Sequence, residues 1–118
     1  MVRNTKQIGD EGERIACEYL RERGYEILEK NWRFQHLEVD IVAEDPNRIA
    51  IVEVKFRETG NYERPQDAVT KKKQRYLIRA AEAYINQFNP FKPVHFDIIS
   101  IIGTSPPQIN HIIEAFYP

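Results

Sequence analysis

The sequence predicts an α/β domain. Two stretches carry apolar residues at helical spacing, five carry the period of two or the short apolar run of a strand, and their order is helix, three strands, helix, then strands. With 118 residues, of which 42% are hydrophobic and 11% aromatic, the chain can fill one core and has no room for a second, so residues 1–118 are read as one domain.

The first helix is expected from about Gly9 to Arg23, where Ile15, Ala16, Tyr19 and Leu20 recur at helical spacing and Gly24 suits the exit position. Asp10, Glu11 and Glu13 would then stand near its positive end, where the dipole favours acids. Tyr25 to Phe34 reads as a strand. Leu37 to Ala43 and Ile49 to Phe56 read as two more, joined by a turn at Asp45-Pro46-Asn47-Arg48. Gly60 to Pro65 reads as a loop. About Gln66 to Phe88 is helical in pattern, with Val69, Tyr76, Leu77, Ala80, Ala81, Tyr84, Ile85 and Phe88 on one stripe, and Asn89-Pro90 ends it. Val94 to Ile102 reads as a buried strand, Gly103 to Pro107 as a turn, and Ile109 to Phe116 as a last strand.

A formal net charge of −1 excludes a wholesale basic coat, so contact with nucleic acid would have to come from local clustering. Cys17 is the only cysteine, and a lone thiol forms no internal disulfide. With no apolar signal-peptide core near the N-terminus and no run long enough to span a bilayer, the expected compartment is the cytoplasm, without a membrane partner.

The hairpin carries the chemistry. On its first strand Leu37, Val39, Ile41 and Ala43 alternate with Glu38, Asp40 and Val42, so the two acids are expected on one face. On its second strand Ala50, Val52, Val54 and Phe56 alternate with Ile49, Ile51, Glu53 and Lys55. A four-residue loop around Pro46-Asn47 pairs Val42 with Ile51, Asp40 with Glu53, and Glu38 with Lys55. Opposed carboxylates at about 5 Å and an effective dielectric of about 20 repel by roughly 3 kcal/mol. A divalent cation would relieve that, and oxygen-only ligands select magnesium or manganese over zinc. Lys55 would then hold a water or a developing negative charge beside it. Spacing alone leaves a second reading open, in which Glu38, Asp40, Glu53 and Lys55 form a solvated charged patch on an exposed sheet face.

Asp40 followed by Glu53-Val54-Lys55 resembles the signature of the PD-(D/E)XK nucleases, an acid on one strand and an acid-X-lysine on the next. The likeness runs through the chain: Gly9, Gly12-Glu13, Ala16, Tyr19-Leu20, Gly24-Tyr25, Asn31, Glu38-Val39-Asp40, Val52-Glu53-Val54-Lys55, Arg57 and Phe96-Asp97 resemble the uncharacterised bacterial YraN-like family, itself similar to archaeal Holliday junction resolvases. Val39 stands where the superfamily has its proline, and Leu37 where the YraN-like pattern has glycine. The resemblance implies a restriction-endonuclease-like domain, an αβββαβ core with a mixed central sheet flanked by helices. It also implies a magnesium- or manganese-dependent endonuclease that hydrolyses phosphodiester bonds in DNA, branched recombination or repair intermediates among them, and a homodimer. Asp40 and Glu53, with the Val54 carbonyl, would be the metal ligands, and Lys55 would orient water or stabilise the pentacovalent charge. Glu38 and Glu13 would be auxiliary acids, although Glu13 also reads simply as a helix-dipole partner. The alternative function is a non-catalytic nucleic-acid-binding or partner-binding domain that kept the nuclease fold.

Lys71, Lys72, Lys73, Arg75 and Arg79 form the one dense basic cluster. A helix capped by Thr70 would hold three lysines in its first turn, where the dipole disfavours cations, and a DNA phosphate would resolve that conflict. Lys73 falls on the apolar stripe, three and four residues before Tyr76 and Leu77, and so points inward, toward the scissile phosphate. The others read equally as solvated side chains with buried stems. Arg57, two residues past Lys55, would meet the nucleic-acid backbone at the cleft edge or be an ordinary surface arginine. Trp32, Phe34 and Tyr62 could stack on unpaired bases, but aromatic residues at strand positions are more often core. His36, His95 and His111 form no zinc or catalytic set, and His95 with Asp97 reads as a structural pair on one strand face.

Overall fold

The computed structural model describes residues 4–58 and 69–118, and in it the chain runs α1 (Thr5–Glu22), β1 (Glu26–Phe34), β2 (Leu37–Glu44), β3 (Ile49–Arg57), α2 (Lys71–Phe88), β4 (Val94–Ile102) and β5 (Gln108–Phe116). The strands form one sheet in the order β1-β2-β3-β4-β5. Neighbours are antiparallel except β3 and β4, which are parallel because α2 lies in the crossover between them. Ile15, Ala16, Cys17 and Leu20 of α1 cluster with Ile41, Ala43, Ala50, Val52, Ile99 and Ile101. Leu77, Ala80, Ala81 and Tyr84 of α2 cluster with Trp32, Val39, Val42, Ile51, Phe96 and Ile98. A mixed five-stranded sheet between two helix-covered faces is the α/β, restriction-endonuclease-like arrangement expected from the sequence.

Both helices start elsewhere than their apolar stripes suggest. α1 begins at Thr5, because Asn4 and Gln7 close a capping box: the Gln7 N–H donates to Asn4 Oδ1 at 2.8 Å and the Asn4 N–H to Gln7 Oε1 at 2.9 Å. The first turn therefore holds no acid. Asp10 and Glu11 lie beyond it and pair with Lys6 and Arg14 one turn away. At the exit, Gly24 takes φ +89° while the Tyr25 N–H donates to the Leu20 carbonyl and the Gly24 N–H to that of Arg21, a Schellman closure. α2 begins at Lys71 rather than Gln66, with Thr70 as its cap. The loop expected at Gly60 to Pro65, Tyr62 within it, and the proposed helical start at Gln66 lie outside the described residues.

On β3 the alternation holds, but on β2 it breaks. Leu37 and Val39 belong to the α2-side core, whereas Ile41 and Ala43, expected on the same face, belong to the α1-side core. The switch falls at Asp40. Across on β1, Asn31 lies between the pairs Lys30–Ile41 and Trp32–Val39 and has φ 51°, a left-handed conformation that asparagine tolerates better than most residues.

At another irregularity, between Phe96 and Ile98 in the β4–β5 register, sits the buried Asp97. Its Oδ1 accepts from Arg48 Nη1 at 2.8 Å and from the Glu114 N–H at 3.1 Å, and its Oδ2 accepts from Arg48 Nη2 at 2.6 Å and lies 2.6 Å from His111 Nε2. Arg48 also donates to the Tyr25 hydroxyl, and Tyr19 reaches the far nitrogen of His111. The expected His95–Asp97 pair does not form: Asp97 is saturated by these donors, and His95 lies 3.1 Å from Glu114 instead.

Candidate functional site

Of the hairpin pairs expected from loop length, the ladder contains Val42–Ile51 and stops at Ile41–Val52. Asp40–Glu53 and Glu38–Lys55 are not ladder pairs. In place of a backbone acceptor, Asp40 Oδ2 takes the Val54 N–H at 2.8 Å. The frame switch in β2 thus brings the Asp40 carboxylate against the β3 backbone at Val54, between Glu53 and Lys55.

Glu53 points to the α2 side and is buried. Its carboxyl is within hydrogen-bonding reach of Asp40, and its pKa is pushed up to about 8, first by burial, then by that bond and the charge of Asp40; Lys73 and Lys55 oppose the shift. Near neutral pH Glu53 therefore keeps its proton. Among the described residues Glu53 Oε2 takes no hydrogen bond, and Lys73 Nζ, 3.3 Å away, attracts it as a charge from outside the hydrogen-bonding direction. The same ammonium lies 4.4 Å from the centre of the Tyr76 ring.

On the α1 side a cleft of about 400 Å³ is lined by Gly9, Glu13, Asn31, Asp40, Lys55 and Phe56, among others. Glu13 is held by Asn31, whose Nδ2 donates to Glu13 Oε1 at 3.0 Å. Burial raises the Glu13 pKa, the Asn31 bond lowers it, and the nearby Asp40 raises it again. Five elements thus converge: α1 supplies Glu13, β1 Asn31, β2 Asp40, β3 Glu53 and Lys55, and α2 Lys73.

Other expected residues lie apart. Glu38 faces Arg33 across the β1–β2 ladder, 3.5 Å from its guanidinium, and its N–H donates to the Tyr76 hydroxyl at 2.7 Å. Lys71, Lys72 and Arg75 are exposed on α2, whose first turn is tied down by the Lys73 N–H on Thr70 Oγ1 at 3.1 Å. Arg57 closes β3, its carbonyl accepting from the Gly103 N–H at 2.7 Å. Asn31 was given no chemical role by the spacing argument, although an asparagine inside a strand pattern is itself a signal of irregular backbone.

The carboxyls of Asp40 and Glu53, the second with a buried oxygen that no described residue hydrogen-bonds, are a donor set for a hard cation that keeps much of its water. Among the described residues, no group of three or more His, Cys, Asp or Glu side chains is gathered at metal-binding distance. Further ligands would have to be backbone carbonyls or water.

The model of the uncharacterised protein family UPF0102 matches residues 12–101, a span that opens one residue before Glu13 and includes every residue of this cluster. The chain belongs to the UPF0102 family. A UPF0102 protein of Phocaeicola vulgatus is 45% identical over 113 residues, covering 95% of this chain and 93% of its own. One from Bacteroides fragilis is 47% identical over 112 residues, covering 94% and 93%. One from Thermodesulfovibrio yellowstonii is 41% identical over 111 residues, covering 94% and 96%. UPF0102 membership agrees with the YraN-like resemblance in the motifs. Among the described residues of this UPF0102 chain, no helix is long and apolar enough to cross a membrane.

Proposed function

We propose that the protein is a divalent-metal-dependent endonuclease that hydrolyses phosphodiester bonds in DNA. The observation that carries this reading is the Asp40–Glu53 pair, a half-buried and a buried acid within hydrogen-bonding reach of each other, beside a Glu53 oxygen that no described residue hydrogen-bonds. A purely structural sheet gains nothing from such a pair, whereas a divalent cation, if bound, would compensate both carboxylates and give the orphaned oxygen a partner. Asp40, Glu53 and the Val54 carbonyl would hold magnesium or manganese. When bound, the cation supplies Lewis-acid neutralisation of the scissile phosphate.

The remaining steps belong to the chain's own groups. Lys55, on the cleft wall beside Asp40, orients the attacking water and stabilises the extra negative charge of the pentacovalent phosphorus. Glu13, held by Asn31, accepts a hydrogen bond from that water. Lys73, 3.3 Å from Glu53 in the free protein, is the cation that would turn to the phosphate in the complex. Lys71, Lys72, Arg75 and Arg57 hold the backbone of the strand. A homodimer and a cytoplasmic setting belong to the same reading, resting on the resolvase likeness and on the single thiol.

The test is incubation of purified protein with single-stranded, duplex, flapped and four-way-branched DNA and with RNA, in magnesium or manganese. Cleavage is expected for DNA and is lost in Asp40→Asn and Lys55→Ala. Absence of cleavage on every substrate, together with no saturable metal binding, would favour the non-catalytic binding domain instead.

A further inference from the structure

We propose that the outer face of α2 and the Phe34 ring form a track for single-stranded DNA, so that the substrate presents unpaired nucleotides. Its direction toward the catalytic cluster rests on the nuclease reading, but the track itself does not.

Lys72, Arg75 and Arg79 are three and four residues apart, which aligns them on one face of α2 over about 10 Å of helix axis. All three are exposed, and among the described residues no carboxylate lies within ion-pair distance of any of them. They line one groove with Ile78, and Arg79 also lines the next, a cleft of about 620 Å³ reaching Phe34 and Leu37. The two grooves therefore meet at Arg79. At the near end, Lys72 adjoins Lys73, whose ammonium reaches Glu53.

Phe34 closes the far end. It ends the edge strand β1, is 40% exposed, and lies within 9° of parallel to Trp32, with 6.3 Å between ring centres. Trp32 is itself wedged edge-on against Tyr84 at 5.3 Å. Phe34 thus offers a backed, oriented aromatic face that an unpaired base can extend as a stack, while Glu82, Asn86 and Gln87 stand at the rim to meet a base edge. A row of cations ending at an aromatic platform is the combination that binds single strands without sequence preference. Bases inside a duplex are already stacked on both sides and cannot present a face to Phe34; only the terminal pair of a blunt end could. A two-fold contact with a second copy centred here would set Arg75 and Arg79 against their own counterparts, which the like charges oppose.

Trp32 is the single tryptophan and packs against Phe34, so its fluorescence reports on this surface through that ring. The full chain, without divalent cation so that nothing is cut, is titrated with oligothymidylate and with a blunt duplex of equal length. Saturable quenching is expected with the single strand only. By anisotropy of a labelled oligothymidylate, Phe34→Ala is expected to lose about tenfold in affinity, Phe34→Tyr to retain it, and Arg79→Gln to weaken binding and flatten its salt dependence. Wild-type affinity in Phe34→Ala, or equal quenching by duplex, overturns the track. So does a change in sedimentation of Phe34→Ala without a change in binding, which would make the surface a subunit contact. The nuclease reading is tested separately by wild-type cleavage with metal: a chain that cuts nothing yet binds single strands through Phe34 loses the nuclease and keeps the track.

Discussion

A Cβ atom on Gly12 would stand 2.6 Å from the Cβ of Phe56, so α1 reaches β3 as closely as it does only because residue 12 has no side chain. Phe56 is held from the other side by Gly103, whose added Cβ would lie 2.6 Å from the ring tip. The neighbours of this contact are Glu13 on the helix and Lys55 on the strand, so backbone packing sets the spacing of two groups in the cleft.

Gly12→Ala should therefore lower stability even though alanine is the better helix former. Strain of about 1–3 kcal/mol from overpacking works against a gain of about 1 kcal/mol in helix propensity. The expected result in urea unfolding is a lower midpoint, with weaker metal binding because Glu13 is displaced. An unchanged midpoint would mean that α1 lifts from β3 without cost.

Glu53 gives the protein an unusual pH dependence. Its folded pKa, about 8, lies above the ordinary 4.5, so folded protein binds a proton that unfolded chain has released. The resulting stabilisation is complete below about pH 4.5 and is lost as pH rises through about 8. In calorimetry the Tm should fall between about pH 5 and 8.5, less steeply in Asp40→Asn, and magnesium should restore it at the alkaline end. A flat Tm over that range would show that Glu53 does not keep its proton in the folded protein.

Asp97 acts in the opposite sense. Burial alone would raise its pKa, but Arg48, His111 and the Glu114 N–H outweigh burial and hold it at about 2, below the ordinary 3.8. Its contribution is present above about pH 4 and is lost as pH falls through about 2. Asp97→Asn leaves the buried Arg48 without its counter-charge and should cost about 3–5 kcal/mol in chemical unfolding. A loss below about 0.5 kcal/mol, the usual spread for surface substitutions, would show that Arg48 finds another partner.

Thr70 tests the start of α2. Thr70→Ala removes the acceptor for the Lys73 N–H and should cost about 1 kcal/mol. Thr70→Asp keeps a cap and adds a negative charge beside Lys71, Lys72 and Lys73, so its Tm should equal or exceed that of the parent. A lower Tm in Thr70→Asp than in Thr70→Ala would contradict the capping geometry.

Periodicity and turn residues made most elements legible in the sequence, including the strand Val94–Ile102 and the exit of α1 at Gly24. What it could not supply was the consequence of pairing. The change of face on β2 falls at Asp40, opposite Asn31 on another strand nine residues earlier, and the partners of Asp97 come from 49 and 14 positions away. The start of α1 was missed: the polar turn that opens it after Asn4 carries no apolar stripe and so gave no reason to begin the helix before Gly9. Asp40, Glu53, Lys55 and Lys73 do meet. Glu38 does not join them, because the same switch that turns Asp40 inward leaves Glu38 opposite Arg33.

β2 is, in effect, written in two reading frames. Up to Val39 its odd-numbered residues fill one core, and from Ile41 on they fill the other, with Asp40 as the frameshift. Neither core has to surrender a side chain to make room for the carboxylate, because the acid occupies the step between frames rather than a place within either. Two interiors can thus be repacked independently while the acid stays where it is.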